Sequence, residues 1–332
     1  MTTIHDVVLA LDNLSGGRVN RSVPENPFSI WKDSGIHGKR VLESPGLVWG
    51  NPTRPVKKLA VAMTVSEHDI ELAAATGVDA IVAHHPIADA ASSGGVTLKN
   101  YLNLSGLAVL ELHEAFHGLH PGIAFLHGHQ VRYADIHYGG VEGNVLFVGT
   151  VFPEIKELGD ILHRLDSFMG LEEEKELLKM EQEIRGSSSA IEASLVTQGR
   201  IVLGSRESTV KHVLHIFPHT GFSSDHLRQA KEQFPETDTV LASISRVRDD
   251  SELVREAKRM GLQFVIGNCH VLEILENGLP LAYALEKLLP DVEVVVFRER
   301  VTSIPVREMG GERIKEYAEK MAENYLVKKV NV

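Results

Sequence analysis

The chain has 332 residues, which is enough for one large domain or two of ordinary size. Its formal net charge of −11, without a lysine- or arginine-rich cluster, excludes tight binding to nucleic acid or to an anionic membrane. No apolar run could span a bilayer, the first residues lack an apolar signal region, and the single cysteine permits no internal disulfide, so we expect a cytoplasmic protein.

The N-terminal part of the chain predicts a helix followed by a long loop. Apolar residues recur at helical spacing over residues 3–13. Residues 12–50 are rich in Gly, Pro, Ser and Asn, which predicts an ordered loop without regular structure. The apolar residues 59–64 then predict the first strand.

A strand-helix-strand unit follows. Ser66 and Asp69 form a capping box at the start of a helix, and Gly77 ends that helix. The apolar residues 78–83 predict the next strand, which Pro86 closes because proline cannot donate to a sheet ladder. This order predicts two parallel strands joined by a right-handed crossover.

The rest of the chain continues the alternation of helices and strands. A helix is predicted around residues 98–104 and a strand over 107–110. The later elements are a strand at 145–151, a helix at 155–169, an acidic solvated face or loop at 171–183, two strands within 191–203 around a turn at Gln198-Gly199, a strand at 213–217, a helix around His226, a strand at 239–244, a helix at 251–260, a strand at 262–266, a helical stretch at 272–289 interrupted at Gly278 and Pro280, and a strand at 292–297.

Three of the predicted strands end in histidine or carboxylate residues. His84 and His85 follow the first, Glu111 and His113 the second, and His270 the third. Ligands of open α/β sheets gather at the carboxyl ends of parallel strands, and imidazole is the commonest metal ligand in proteins. The three strand ends could therefore converge on one metal site.

The adjacent His84 and His85 leave more than one interpretation open. Neighbouring residues on a regular strand point to opposite faces, so both serve one site only where the strand has ended. Otherwise each imidazole binds a different metal ion. The alternative without a metal is that the pair caps a loop or bonds to backbone carbonyls.

The second group comprises Glu111, His113 and His117, with Glu114 beside them. Glu111 and His113 share a face on an extended chain, and a carboxylate that bridges two cations offsets their repulsion in a dinuclear site. The alternative is an ordinary polar loop. Four further histidines are expected at the surface or beside the ligands: His120, His127, His129 and His137.

The third group follows the last of these strands. On a helix opening after Asn268, His270 and Glu273 lie at i and i+3 and so share a face, which Glu276 extends. Such a pair is also an everyday surface contact. Cys269 is either a small buried hydrophobic residue or a thiolate ligand.

Phosphate-binding and nucleophile motifs are weak. No Gly-rich phosphate loop of dinucleotide or Walker type and no Gly-x-Ser-x-Gly elbow occurs in the sequence. A helix N-terminus after Pro218-His219-Thr220-Gly221 could receive an anion. With one cysteine and no clear base beside it, covalent catalysis is not expected.

These motifs resemble the Nif-three-like dinuclear-metal family, also catalogued as GTP cyclohydrolase I type 2 homologues. The resemblance spans about residues 45–305 and depends on three segments, in order: Gly77-Val78-Asp79-Ala80-Ile81-Val82-Ala83-His84-His85-Pro86, Leu110-Glu111-Leu112-His113, and Gly267-Asn268-Cys269-His270-Val271-Leu272-Glu273. The chain departs from the family where Asn268 and Cys269 precede the late histidine, and where His117 replaces an aspartate.

The resemblance implies an α/β protein with a layered Nif-three-like fold, in which two interlocked lobes carry mixed and parallel sheets flanked by helices. Residues 1–140 plus 262–332 would form the metal-binding lobe, and residues 141–261 an inserted second α/β lobe. It also implies a ring-shaped homohexamer with two divalent metal ions per subunit, such as Zn, Fe or Mn.

The resemblance carries the family's metal ligands over to this chain residue by residue, and the proton-transfer residues below are inferred from the chemistry of histidine and glutamate. The metal ligands would be His84, His85, Glu111, His270 and Glu273. His117 remains the alternative to Glu111 as the middle ligand. The residues expected to transfer protons in catalysis are His113 and His117, with Glu114 as a further candidate.

The function that follows is metal-dependent hydrolysis of a small molecule, cyclohydrolase- or phosphoesterase-like, with a nucleotide-like substrate suggested by the family name. The alternative is a metal-binding scaffold or regulatory interaction protein without turnover. On either hypothesis the expected partners are a small molecule and further copies of the chain, not nucleic acid or a membrane.

Overall fold

The structure is a computed structural model and describes residues 1–21, 25–33, 40–85, 96–113, 115–141, 143–218, 221–244, 247–298 and 300–326. Three predicted features lie outside the described residues: Pro86 as the end of a strand, Glu114 as a proton-transfer group, and the central residues 219–220 of the candidate anion site.

Helices and strands alternate along most of the chain. The helices are α1 (Ile4–Leu14), α2 (Glu67–Thr76), α3 (Val96–Ser105), α4 (Gly122–Leu126), α5 (Leu158–Phe168), α6 (Leu171–Arg185), α7 (Ala193–Val196), α8 (Ser224–Gln233), α9 (Glu252–Arg259), α10 (Leu279–Leu288) and α11 (Glu312–Met321). The strands are β1 (Ile30–Asp33), β2 (Arg40–Glu43), β3 (Gly46–Trp49), β4 (Lys58–Ala62), β5 (Ala80–Ala83), β6 (Ala108–Glu111), β7 (His129–Asp135), β8 (Leu146–Val151), β9 (Ile191–Glu192), β10 (Arg200–Leu203), β11 (His212–Ile216), β12 (Thr239–Ala242), β13 (Gln263–Ile266), β14 (Glu293–Val296) and β15 (Thr302–Ser303).

The first large sheet has five strands in the order β14-β4-β5-β6-β3. Strands β14, β4, β5 and β6 run parallel, and β3 closes one edge in the antiparallel direction. The predicted strand-helix-strand unit is therefore confirmed as β4-α2-β5. Because its strands are buried on both faces, they are almost continuously apolar, as parallel strands generally are.

Helix α2 forms where the sequence predicts it. The Ser66 hydroxyl accepts a hydrogen bond from the Asp69 amide, while the Asp69 carboxylate accepts one from the Ser66 amide at 2.7 Å. Gly77 follows the helix with φ 71°, a left-handed conformation that glycine adopts at little cost. These caps fix the point at which the chain turns back into β5.

The second large sheet has six strands in the order β10-β13-β12-β11-β8-β7. Its central strands β11, β12 and β13 are parallel, and β8 pairs antiparallel with β11. Strands β7 and β13 belong to this sheet, although the predicted boundaries at residues 140 and 262 assign them to the other lobe. They pair with β8 and β12, so their backbone bonds place them here. The division into two lobes itself stays a prediction.

Both sheets are covered by helices. On the first sheet, α1 and α10 pack against one face, and α2 and α3 pack against the other. On the second sheet, α8 and α9 cover one face, and α5 covers the other. These layers bury the apolar side chains of both sheets and leave the carboxyl ends of the strands for polar residues.

Three expectations for local structure need correction. The stretch 12–50 is not only loop, because it contains β1, β2 and β3, and β3 joins the first sheet. The acidic stretch is helix α6, which buries Leu171 and exposes most of its charged residues. Residues 191–203 do not form a hairpin, because β9 pairs with β15 and β10 with β13.

Over the residues that the structure describes, no helix combines the length and apolar character needed to cross a bilayer.

Candidate metal centre

Beyond the end of β5 the backbone still forms hydrogen bonds with the chain at the end of β4, and these bonds fix the positions of His84 and His85. The His84 amide donates to the Ala62 carbonyl at 2.9 Å, and the His85 amide donates to the Met63 carbonyl at 2.7 Å. The two rings lie with centroids 5.4 Å apart and their planes tilted by 44°. Both imidazoles can therefore face one site, as the sequence left open.

Glu273 brings the late segment to this pair. It follows a 3-10 turn over His270–Leu272 and is 1% exposed. One carboxylate oxygen, Oε1, lies 3.2 Å from His84 Nε2, and the other, Oε2, lies 3.0 Å from His85 Nε2. The Asn277 amide donates to Oε1 at 2.8 Å and holds the carboxylate in place.

The charge of Glu273 is maintained by its neighbours. Burial acts to raise its pKa, but the contacts with His84 and His85 hold the pKa well below the usual range of a glutamate. A buried carboxylate that stays ionised requires positive charge nearby. The pair of imidazoles in contact with it supplies nitrogen donors for a cation in the same place.

His84 presents a lone pair to this carboxylate. Its Nδ1 lies 3.0 Å from the Leu112 carbonyl and must donate, because a carbonyl only accepts. Burial lowers the pKa of His84, although the adjacent Glu273 works against that shift. When the ring is protonated, Nε2 can donate to Glu273 Oε1 at 3.2 Å, the contact that lowers the pKa of Glu273. In the neutral ring Nε2 carries no proton, and its lone pair faces that oxygen. Two acceptors that face one another fit a cation between them.

His113 completes the first group of candidate ligands. One ligand atom each from His84, His85 and His113 lies within 4.8 Å of the others. His113 Nδ1 contacts Oε1 of the buried Glu43 at 2.8 Å. Glu43 was missed at the sequence level, because it stands 70 residues from His113 in a stretch predicted to be loop.

A second group consists of His85, His270 and Glu273, whose candidate ligand atoms also lie within 4.8 Å of one another. His270 Nε2 is 3.8 Å from Glu273 Oε2, and its side chain is 42% exposed. Burial of the rest of the ring lowers the pKa of His270. This group therefore lies on the solvent side of the first. His84, His85, His113, His270 and Glu273 are called the histidine–glutamate cluster below.

The remaining predicted site residues lie beside this cluster. The His117 ring is 4.7 Å from that of His113 and 5.7 Å from that of His84. Glu111 is buried at the end of β6, where its backbone pairs with Ala83. Neither joins the two groups of candidate ligands that the described residues form, so the choice between Glu111 and His117 as middle ligand stays open.

Cys269 also lies outside both groups. It is buried, and its sulfur is 2.8 Å from Thr197 Oγ1. Among the described side chains it does not join a group of candidate ligands, and the choice between a buried hydrophobic residue and a thiolate ligand stays open.

Comparison with protein families finds one match. The model of the family Duf34/NIF3 (NGG1p interacting factor 3) matches residues 35–103, which include His84 and His85. None of the curated proteins matches the chain.

Solved structures match nearly the whole chain at low sequence identity. Protein ybgI, described as of unknown function, is 13% identical with a TM-score of 0.56, covering 90% of this chain and 98% of its own. Reduced HcgD from Methanocaldococcus jannaschii is 16% identical with a TM-score of 0.57, covering 89% and 97%. A Bacillus cereus protein related to NIF3 is 12% identical with a TM-score of 0.54, covering 90% and 97%.

These identities establish a shared fold and not a shared activity. The fold class expected from the sequence is thereby confirmed. The family match over residues 35–103 and the shared fold together confirm the resemblance of this chain to the Duf34/NIF3, or Nif-three-like, family.

Proposed function

We propose that this chain binds divalent metal ions in a dinuclear centre and acts as a metal-dependent hydrolase on a small molecule. One observation carries the proposal: in the neutral state of His84, which burial favours, its buried Nε2 lone pair faces Oε1 of Glu273 at 3.2 Å. A buried contact between a lone pair and a carboxylate is unfavourable unless a cation lies between them. The donor set of imidazoles and one carboxylate suits Zn, Fe or Mn.

Each group of candidate ligands would hold one ion. His84 and His113 belong to the first group, His270 belongs to the second, and His85 lies in both. Glu273 directs one oxygen toward His84 and the other toward His85, the arrangement needed to serve two ions at once. Paired divalent cations, when bound, supply Lewis acidity for the attack of water on an electrophilic carbon or phosphorus centre.

Proton transfer would fall to His117. The sequence predicted this role for His113 and His117, but Nδ1 of His113 is engaged by Glu43 and His113 belongs to the first group of candidate ligands. His117 is half-buried beside His113 and so can exchange protons with solvent. Burial lowers the pKa of the neighbouring His120 to about 4, so His120 stays neutral at pH 7.

Other parts of the proposal come from the family resemblance alone. They are a cyclohydrolase- or phosphoesterase-like reaction, a nucleotide-like substrate, a homohexamer and a cytoplasmic location. We also propose the two-lobed organisation on this ground. A metal-binding scaffold without turnover has the same ligands and differs only in lacking a reaction.

The experiment compares metal content in three proteins: the untagged wild type, His84→Ala, and His163→Ala as a control. His163 is exposed on α5 and contributes to neither group of ligands. Elemental analysis after reconstitution should give two metal ions per chain in wild type and the control, and a clear loss in His84→Ala. Negligible metal in wild type would overturn the proposal.

Turnover then separates the hydrolase from the scaffold. A panel of nucleotides and phosphomonoesters is assayed with increasing Zn²⁺ or Mn²⁺. A hydrolase should show a rate that rises with the cation and disappears in His84→Ala. Metal binding without any such rate would contradict the hydrolase and leave the scaffold.

A further inference from the structure

Glu43 lies in a position to control the orientation of His113. Its Oε1 is 2.8 Å from His113 Nδ1, and Glu43 is only 2% exposed. An ionised carboxylate only accepts hydrogen bonds, so His113 Nδ1 must be the donor. The neutral ring then carries its lone pair on Nε2, on the side away from Glu43.

The backbone around Glu43 is built to make this contact. Glu43 ends β2, and Gly46 opens β3, where it pairs with Glu111 at the end of β6. Gly46 has φ 103°, and a Cβ there would lie 2.9 Å from Val19 Cγ1, so both conformation and space favour glycine. Because Gly46 pairs with Glu111, two residues before His113, the short connection from β2 to β3 keeps Glu43 close to His113.

We propose that Glu43 is a positioning residue that fixes the Nδ1–H tautomer of His113 and directs its Nε2 toward His84 and His85 as a metal ligand. This role rests on the proposed metal centre, because the orientation of His113 affects metal binding only if His113 is a ligand. Carboxylates that accept the second N–H of a ligating histidine fix its ring and raise its basicity. Glu43 would also add a negative charge near the cations without binding them.

A purely structural role for Glu43 makes different predictions. If its hydrogen bond only stabilises the fold, replacing Glu43 should lower the melting temperature and leave the metal affinity of the folded protein unchanged. If Glu43 positions His113, the affinity and the tautomer should change while the metal-free protein remains folded.

The experiment uses Glu43→Gln, which keeps the size of the side chain and removes its charge. Glu192→Gln is the matched control, because Glu192 is also 2% exposed on a strand but pairs with Arg300, away from the cluster. Glu43→Asp, which keeps the carboxylate, is measured beside them in case the glutamine variant does not fold. Zn²⁺ affinity is measured by competition with a chelator, and the His113 tautomer by ¹⁵N NMR of the metal-free protein.

We expect wild type to show the Nδ1–H tautomer, with the resonance identified by its absence in His113→Gln. Glu43→Gln should bind Zn²⁺ roughly 10- to 100-fold more weakly, and Glu192→Gln should match wild type. Wild-type affinity in folded Glu43→Gln would overturn the inference while leaving the metal centre in place.

The NMR measurement separates this inference from the metal-centre proposal. If wild type binds no Zn²⁺, the metal centre fails, but an Nδ1–H tautomer that is lost in Glu43→Gln still supports the control of His113 by Glu43. An Nε2–H tautomer in wild type would overturn that control whether or not metal binds.

Discussion

The structure brings together two groups of histidines, and they differ in their partners. The histidine–glutamate cluster combines residues that follow β5 and β6 of the first sheet with residues that follow β13 of the second sheet. The second group, here called the histidine-only cluster, comprises His127, His129 and His215, all fully or almost fully buried. The ring centroids of His127 and His215 are 4.7 Å apart, closer than those of His84 and His113 in the first cluster at 5.2 Å.

In the histidine-only cluster the ring nitrogens mostly bond to neutral groups. His129 Nε2 is 2.9 Å from His215 Nδ1, and His215 Nε2 is 2.5 Å from the Ser243 hydroxyl. His127 donates to the Ile123 carbonyl through Nδ1 and accepts the Asn268 amide through Nε2. These bonds engage both ring nitrogens of His127 and of His215, whereas His129 Nδ1 is buried without a hydrogen-bond partner among the described residues.

The carboxylates differ in charge between the clusters. In the histidine–glutamate cluster, Glu273 stays ionised. Beside the histidine-only cluster, Glu276 Oε1 lies 3.8 Å from His127 Nδ1, but burial and the negative charge of Glu273 raise the pKa of Glu276 well above its usual value. The comparison indicates that an ionised carboxylate, more than the number of imidazoles, decides which cluster can hold a cation.

The largest expected effect is acid destabilisation through the histidine-only cluster. Burial lowers the pKa of His127 to about 4 and that of His129 to about 3. Below pH 6.5 the unfolded chain protonates these histidines while the folded chain does not. Their contribution to stability is therefore complete above pH 6.5, and it is lost between pH 6.5 and about 4 for His127 and between pH 6.5 and about 3 for His129. By pH 5 the loss should be about 2 kcal/mol for each histidine.

Urea unfolding of the metal-free protein at pH 7 and pH 5 measures this loss. His129→Gln serves as the control, because removing one titrating histidine should make the loss of stability between pH 7 and pH 5 smaller by about 2 kcal/mol. The same free energy of unfolding at both pH values would contradict the neutral, buried state of these rings.

The second effect concerns Glu273. Glu273→Gln retains the shape and removes the negative charge of the carboxylate whose Oε1 contacts His84 and whose Oε2 contacts His85. Zn²⁺ affinity should fall at least about 100-fold, equivalent to about 2.7 kcal/mol. Isothermal titration would measure it, with Glu276→Gln as the matched control that should bind Zn²⁺ normally. Equal losses in both variants would remove the distinction between the two carboxylates.

The third effect separates stability from metal binding. His129→Ala leaves His215 Nδ1 buried without its partner and opens a cavity beside Gly149. The free energy of unfolding should fall by about 2 kcal/mol, while the metal content remains that of wild type. Loss of metal in this variant, at a temperature where it is folded, would show that the histidine-only cluster also binds metal.

The smallest effect is expected at the solvent side of the histidine–glutamate cluster. His270 is 42% exposed and 3.8 Å from Glu273, so we expect it to hold the proposed second ion less tightly than the buried ligands hold the first. His270→Ala should lose about one of two metal ions per chain by elemental analysis. Retention of both ions would place the second site elsewhere, and loss of both would mean that the two sites are not independent.

Short-range sequence patterns predicted the strand-helix-strand unit that leads to His84 and His85. The Ser66 capping box, Gly77 and the apolar strands on either side depend on residues within a few positions of one another, and all appear as predicted. Helix α6 was ambiguous because acidic residues suit both a solvated helix and a loop. The pairing of β9 and β10 with distant strands could not be read from their alternation, because alternation does not identify the partner.

The site was predictable where a strand end carries the ligand. His84, His85, His113, His270 and Glu273 are brought together, although the identity of the ligands remains a prediction. The contact between Glu43 and His113 could not be predicted, because the two residues are 70 positions apart and Glu43 lies in the β1–β2 pair, where the sequence predicted a loop. The histidines 127 and 129 were expected at the surface or beside the ligands, but they lie buried in a separate cluster whose partners come from distant strands.

The most direct test is anomalous diffraction at the zinc edge from a crystal of the full chain grown with Zn²⁺. The account predicts anomalous peaks about 2.0–2.3 Å from His84 Nε2 and from an oxygen of Glu273, and none among His127, His129 and His215. A peak confined to the histidine-only cluster, or no peak at either cluster, would contradict the claim that the ionised Glu273 selects the metal site.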